Sequence, residues 1–239
     1  MSSGRGGPRP STTTTGSSWR SSSRRLASSA NGSYTPHRSR AEARATCSRW
    51  CRWRTTSERY RDYHDTEWGR PVTDERGLYE KLCLECLQSG LSWALILRKR
   101  DGIRAALAGF DPDAIAAFGH RELKALLQDP RVIRNRRKLE AIIQNARATV
   151  EMRDDTPLAE LVWSFRPPPR PAPRTYAGMP SLTNESKQLA KELKRRGFAF
   201  VGPTTVYATM QAVGLVNDHL AGCFVRDEVE VTQRNVQRL

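Results

Sequence analysis

Gln128-Asp129-Pro130-Arg131-Val132-Ile133-Arg134-Asn135-Arg136-Arg137-Lys138-Leu139 is a short, basic stretch between two helical patterns. Leu123, Leu126 and Leu127 precede it at helical spacing, and Leu139, Ile142, Ile143 and Ala146 follow it. Asp129-Pro130 ends the first helix, so the stretch predicts a tight turn that opens onto a second helix. The start of a helix offers free backbone N–H groups and the positive end of the dipole, which suit a phosphate. Arg134, Arg136, Arg137 and Lys138 add attraction to a phosphate backbone that is blind to sequence. The plainer alternative is a solvated basic helix start.

The pattern stays helical on both sides. Leu78, Leu82, Cys86 and Leu87 mark a helix that begins near Asp74, and Trp93 to Leu97 begins another. Asp111-Pro112 is an N-cap followed by proline at the first helical position, with Ile115, Ala116 and Phe118 behind it. Pro157 starts a short helix through Leu161, Val162 and Trp163. Residues 186–195 are helical with Gly197 as the stop, and Thr204 to Leu215 gives the last clear helix. Arg166 to Pro173 holds five prolines and reads as an extended surface connector. Alternation of the strand kind is confined to Phe198-Ala199-Phe200-Val201. The expected fold is all-α.

The net charge is +15 over 239 residues and is unevenly spread. Residues 1–46 hold eight arginines against one acid, Glu42, which leaves +8 for the remainder. A basic remainder suits a polyanionic partner without specifying which. The first 46 residues are too poor in aliphatics to offset the entropy of ordering them. They read as a disordered segment: a targeting peptide, a DNA tether, or the product of an upstream start codon, the last being preferred. Residues 47–225 are expected to form the folded domain and 226–239 a C-terminal tail of unassigned role. No apolar run reaches membrane-spanning length, and the five cysteines (47, 51, 83, 86 and 223) are an odd number. A reducing compartment therefore fits better than a disulfide scaffold. Cys83-Leu84-Glu85-Cys86 has the spacing of a redox pair but lies in an apolar helical run, so buried thiols are expected there.

Two features carry chemistry. His219 and Cys223 lie four residues apart, so a helical turn would align them, and Cys51 and His64 lie far upstream. Two thiolates and two imidazoles would close a tetrahedral zinc site of the structural kind. Buried cysteines and hydrogen-bonded histidines explain the same residues, and spacing alone leaves both open. The second feature is Glu85, inside the apolar run Leu82-Cys83-Leu84-Glu85-Cys86-Leu87, where a carboxylate is costly unless it is paired or binds a ligand. Trp53, Tyr60, Tyr63 and Trp93 are aromatics available to line a pocket, or simply a core; Trp68 and Trp163 read as core.

Four stretches together resemble a known family: Tyr63-His64-Asp65-Thr66-Glu67-Trp68-Gly69, Cys83 through Trp93, Ile133-Arg134-Asn135-Arg136, and Gly202-Pro203-Thr204-Thr205 running on to Asn217-Asp218-His219. They look like the DNA-3-methyladenine glycosylase I family, over roughly Cys51 to Cys223. The resemblance implies an all-α helix-hairpin-helix glycosylase fold whose two ends are joined by a structural zinc on Cys51, His64, His219 and Cys223. Cys47 lies just outside the matched block. It implies a bacterial, cytoplasmic, monomeric and monofunctional base-excision enzyme that acts on alkylated duplex DNA. Trp53, Tyr63 and Trp93 would hold the flipped base and Glu85 would face it; Leu91 reads equally as a filler of the gap in the stack and as an ordinary core leucine. Arg131 departs from the pattern, because such hairpins commonly carry glycine there; Cys86 and Thr209 also depart. Asp154-Asp155 follow the hairpin, where related superfamilies place a catalytic aspartate, but they sit in a polar stretch and receive no role. A DNA-binding module that uses zinc without catalysis is the competing reading, and a zinc hydrolase the third.

Overall fold

A computed structural model describes residues 57–236, and every regular element within them is helical. Helix α1 spans Glu58–Thr66 and α2 spans Glu75–Gln88; Ser57 and Asp74 cap them by accepting from Tyr60 N and Gly77 N. Helix α3, Trp93–Ala106, is capped by Ser92. Then come α4 (Pro112–Ala116), α5 (His120–Gln128) and α6 (Arg136–Glu151). The expected cap at Asp111 is present: its carboxylate accepts from Asp113 N and Ala114 N. Helices α7 (Leu158–Ser164), α8 (Asn184–Arg195), α9 (Pro203–Ala212) and α10 (Arg226–Arg234) complete the chain. Phe198–Val201 forms no strand, because it has no extended neighbour to pair with.

Helix α2 is the centre of the core. Leu78, Tyr79, Leu82, Cys83, Leu84, Cys86 and Leu87 are all buried, and α3, α6, α7 and α9 surround it. That explains its near-continuous apolar sequence, which lacks the polar stripe of a surface helix. Both cysteines are buried free thiols. Tyr79 donates to Ile142 O on α6 at 2.8 Å, and Trp163 Nε1 donates to Val72 O at 2.9 Å.

The last helix expected from Thr204 to Leu215 stops at Ala212, and Gly214 turns the chain at φ +77°. A Cβ on Gly214 would stand 2.7 Å from Gly69 O and from the Arg70 carbonyl carbon. Glycine at 214 thus lets the loop after α1 pass against the loop after α9. His219 and Cys223 lie on the loop after α9, and His64 lies on the last turn of α1.

Candidate functional site

Of the side chains expected to form a pocket, Tyr63, Glu85 and Trp93 lie on α1, α2 and α3. Tyr63 on α1 is buried, and its ring centroid lies 5.2 Å from that of Trp93 at the start of α3. Trp93 Nε1 is buried and donates to nothing among the described residues. Glu85 on α2 is 7% exposed. Burial pushes its carboxyl up to about 8, with the charge of Lys81 pulling the other way. Lys81 is engaged elsewhere: its Nζ bonds Glu67 at 3.0 Å and lies 5.1 Å from the Tyr63 ring centre. Burial alone would raise Glu67 as well, but bidentate bonds from Arg100 (2.7 and 2.8 Å) and the charge of Lys81 hold it below the usual range. Burial and the nearby Glu85 also push the hydroxyl of Tyr60 up to about 12. A buried carboxyl beside tyrosine rings, with one unused indole N–H near by, is suited to a flat, cationic, hydrogen-bonding ligand. Trp53 lies outside the described residues.

The second cluster joins the loops. His64, His219 and Cys223 are buried, and their ligand atoms lie within 4.8 Å of one another. Cys223 Sγ is 3.6 Å from His64 Nε2 and 3.5 Å from His219 Nδ1. The two distances to sulfur match the roughly 3.3–3.6 Å between ligand atoms around a tetrahedral zinc. Behind them, His64 Nδ1 meets Asp65 Oδ1 at 2.8 Å and His219 Nε2 meets Trp68 O at 3.1 Å. Each outer nitrogen therefore carries the proton, and the inner lone pairs face the thiol. The donor set fits a metal cation. Cys51 lies outside the described residues, as does Cys47. The approach of His219 and Cys223 was expected from a helical turn, but residues 217–225 form tight turns instead. Cys223 N donating to Leu220 O at 2.8 Å folds the segment back on itself. Trp68 is buried as expected, and it packs edge-on to His219 with ring centroids 4.6 Å apart.

Helix α10, a segment without assigned role in the sequence, clamps this cluster. Arg226 donates to Asn217 O at 3.1 Å and to His219 O. Gln233 Nε2 donates to Gly69 O at 2.8 Å and Val216 O at 3.1 Å, so one side chain ties both loops. The proline-rich stretch is more than a connector: Arg170 ion-pairs with the buried Asp218.

At the far end of α2, the turn 129–135 joins α5 to α6. Arg134, Arg136 and Arg137 are exposed there. Lys138 is not: it is buried, with Nζ donating to Leu87 O at 2.7 Å and to Ser89 O. This corrects the expectation of four phosphate-facing cations, since Lys138 instead closes the carboxyl end of α2. Arg131 avoids the left-handed region, and its guanidinium and backbone N–H both bond Asp129. The room a glycine would have made is supplied by Gly102 on α3, where a Cβ would come within 2.8 Å of Arg131 Cβ. Leu91, 37% exposed, borders a groove with Lys99, Pro130, Ile133 and Arg134. The loop after α2 and the basic turn therefore share one face.

Residues 53–226 match the sequence model of the family described as methyladenine glycosylase. The chain is 46% identical over 176 residues to DNA-3-methyladenine glycosylase 1 of Escherichia coli strain K12, covering 72% of this chain and 94% of that protein. The crystal structure of a 3-methyladenine DNA glycosylase I (TAG) superposes with a TM-score of 0.71 at 47% identity, covering 73% of this chain and 98% of that one. A 3-methyladenine DNA glycosylase I from Staphylococcus aureus, solved to explain its 3-methyladenine recognition, gives a TM-score of 0.70 at 31% identity over 74% of this chain and 95% of its own.

Proposed function

The chain belongs to the methyladenine glycosylase family, and we infer that it is a DNA-3-methyladenine glycosylase of base-excision repair. The observation that carries this reading is Glu85, a buried carboxyl with little charge compensation at a site walled by Tyr63 and Trp93. A DNA-binding module without catalysis has no use for that arrangement.

A base locked inside a duplex must be flipped out to be read and cut. An adenine methylated in this way is cationic, so each aromatic face favours it over neutral adenine by about 0.5–2 kcal/mol. The Glu85 carboxylate accepts from its exocyclic amine and offsets its charge. The N-glycosidic bond then breaks, and the base leaves with the electron pair as neutral 3-methyladenine. Water adds its hydroxyl to the sugar carbon and releases a proton. Because positive charge passes from base to sugar, a fixed anion in a dry pocket faces it throughout. The alkylated base is already a good leaving group, so neither a strong general acid nor a lysine nucleophile is needed, and the enzyme is monofunctional. Trp53 completes the aromatic wall in this proposal.

The turn 129–135 acts as a helix-hairpin-helix element, with Arg134, Arg136 and Arg137 on phosphates and Leu91 in the gap left by the base. Cys51, His64, His219 and Cys223 hold a structural zinc; such an ion supplies a redox-inert clamp between the two loops. The glycosylase domain, 47–225, is completed by α10. No described helix is long and apolar enough to cross a membrane, and a monomer working on cytoplasmic duplex DNA is the proposed state. Incubation with methylated duplex DNA should release free 3-methyladenine and leave abasic, unbroken strands. Failure to release any base, from protein that binds DNA, would overturn the assignment.

A further inference from the structure

Phe200 is a large aromatic side chain that packing does not explain. It is 40% exposed and sits at φ +57°, in the left-handed region where a Cβ is strained. Glycine would adopt that backbone freely, and the local sequence Gly197-Phe198-Ala199-Phe200-Val201-Gly202 has glycine on both sides but not at this position. Its neighbours hold the loop rigid. Phe198 and Val201 are buried. Buried Asn145 grips Ala199 twice, with Nδ2 donating to Ala199 O at 3.1 Å and Oδ1 accepting from Ala199 N at 2.7 Å. The strain is therefore fixed in place and directs an aromatic ring at solvent.

The loop that carries the ring is pinned to α6, the helix that opens at the basic turn. Lys138 and Asn145 are seven residues apart on α6, so they share one face, about 10 Å apart along the axis. Lys138 holds Leu87 O and Ser89 O, and Asn145 holds Ala199. Leu91 follows the first anchor by two residues, and Phe200 follows the second by one. Gly197 O accepts from Gln144 and Ala199 is gripped by Asn145, so the loop lies against the middle of α6, the helix whose amino end opens at the basic turn. Among the described residues only Leu91, Phe200 and Val231 are exposed large apolar side chains, and two of these three directly follow segments anchored to α6.

We propose that Phe200 is a second apolar contact to the duplex, stacking on a base or sugar beside the lesion while Leu91 enters the vacated gap. Apolar side chains inserted at base steps are an established way to hold DNA unstacked, and Arg134, Arg136 and Arg137 supply the charge that brings DNA to this face. The proposal rests on the glycosylase reading and adds a residue to it.

Phe200→Gly separates fold from function, because glycine suits the backbone. It should melt no lower than the wild type and bind free 3-methyladenine equally well. Its affinity for a duplex carrying a tetrahydrofuran abasic analogue should fall about tenfold, the worth of one aromatic–base stack, and Phe200→Trp should restore it. A 2-aminopurine beside the analogue should change fluorescence on binding the wild type and not on binding Phe200→Gly. Equal duplex affinity for wild type and Phe200→Gly would overturn the role of Phe200 even where the wild type excises base normally. Absence of base release by the wild type would instead refute the glycosylase reading, and the affinity ratio would still decide whether Phe200 touches DNA.

Discussion

His64 Nε2 and Cys223 Sγ stand 3.6 Å apart, although 159 positions of chain separate them. With His219 Nδ1 at 3.5 Å from the same sulfur, they bring lone pairs together at the spacing of zinc ligands. The expected consequence is one zinc per chain by elemental analysis. His64→Ala or Cys223→Ser should lose the metal and about 3–5 kcal/mol of stability. Metal-free protein melting at the wild-type temperature would refute the clamp.

Gln233 ties Gly69 O to Val216 O from a helix that lies almost wholly beyond the 53–226 span matched by the family. Gln233→Ala leaves two buried carbonyls without that donor and should cost about 1–3 kcal/mol. It should also speed zinc loss to a colorimetric chelator, while excision at saturating metal remains near wild type. Unchanged chelation kinetics would show that α10 does not hold the ligand loops.

The basic turn yields a contrast between neighbours. Arg134→Ala, Arg136→Ala or Arg137→Ala should each flatten the dependence of log affinity on log salt by about 0.9 for every phosphate the side chain neutralises. Lys138→Ala should leave that slope unchanged and lower the melting temperature, because its ammonium bonds Leu87 O and Ser89 O. Equal slope changes for all four would place Lys138 on DNA after all.

Glu85 imposes a pH dependence on stability. With its folded pKa raised to about 8, the native protein keeps a proton that the unfolded chain has already released. Stability should therefore fall as pH rises from the ordinary carboxylate range to about 8, by up to about 1.4 kcal/mol per unit. Urea titrations at intervals across that range should show the slope in wild type and its loss in Glu85→Gln. A wild-type slope in Glu85→Gln would assign the proton elsewhere.

The site was more legible in the sequence than its supports. The cap at Asp111, the helix start near Asp74 and the apolar run of α2 were readable because they are local chemistry. Glu85 stood out because a lone carboxylate in that run needs a reason. Lys138 misled because its three basic neighbours suggested an exposed patch, and only the packing of α6 against α2 reveals its burial. Helix α10 was missed because Arg226-Asp227-Glu228-Val229-Glu230-Val231 offers two valines among charges, too little periodicity to mark a helix. The strain at Phe200 is a tertiary property with no local sequence signal beyond the flanking glycines.

If the Glu85 carboxylate serves excision, its ionisation must appear in the rate. The decisive experiment is single-turnover base release from a duplex with one 3-methyladenine, by wild type and Glu85→Gln, across pH 6 to 9. The wild-type rate should rise with pH and level off near 8 as the carboxyl ionises. Glu85→Gln should be slower by about 100-fold with duplex affinity preserved. Excision by Glu85→Gln at the wild-type rate, or a wild-type profile that falls as pH rises, would remove Glu85 from the chemistry.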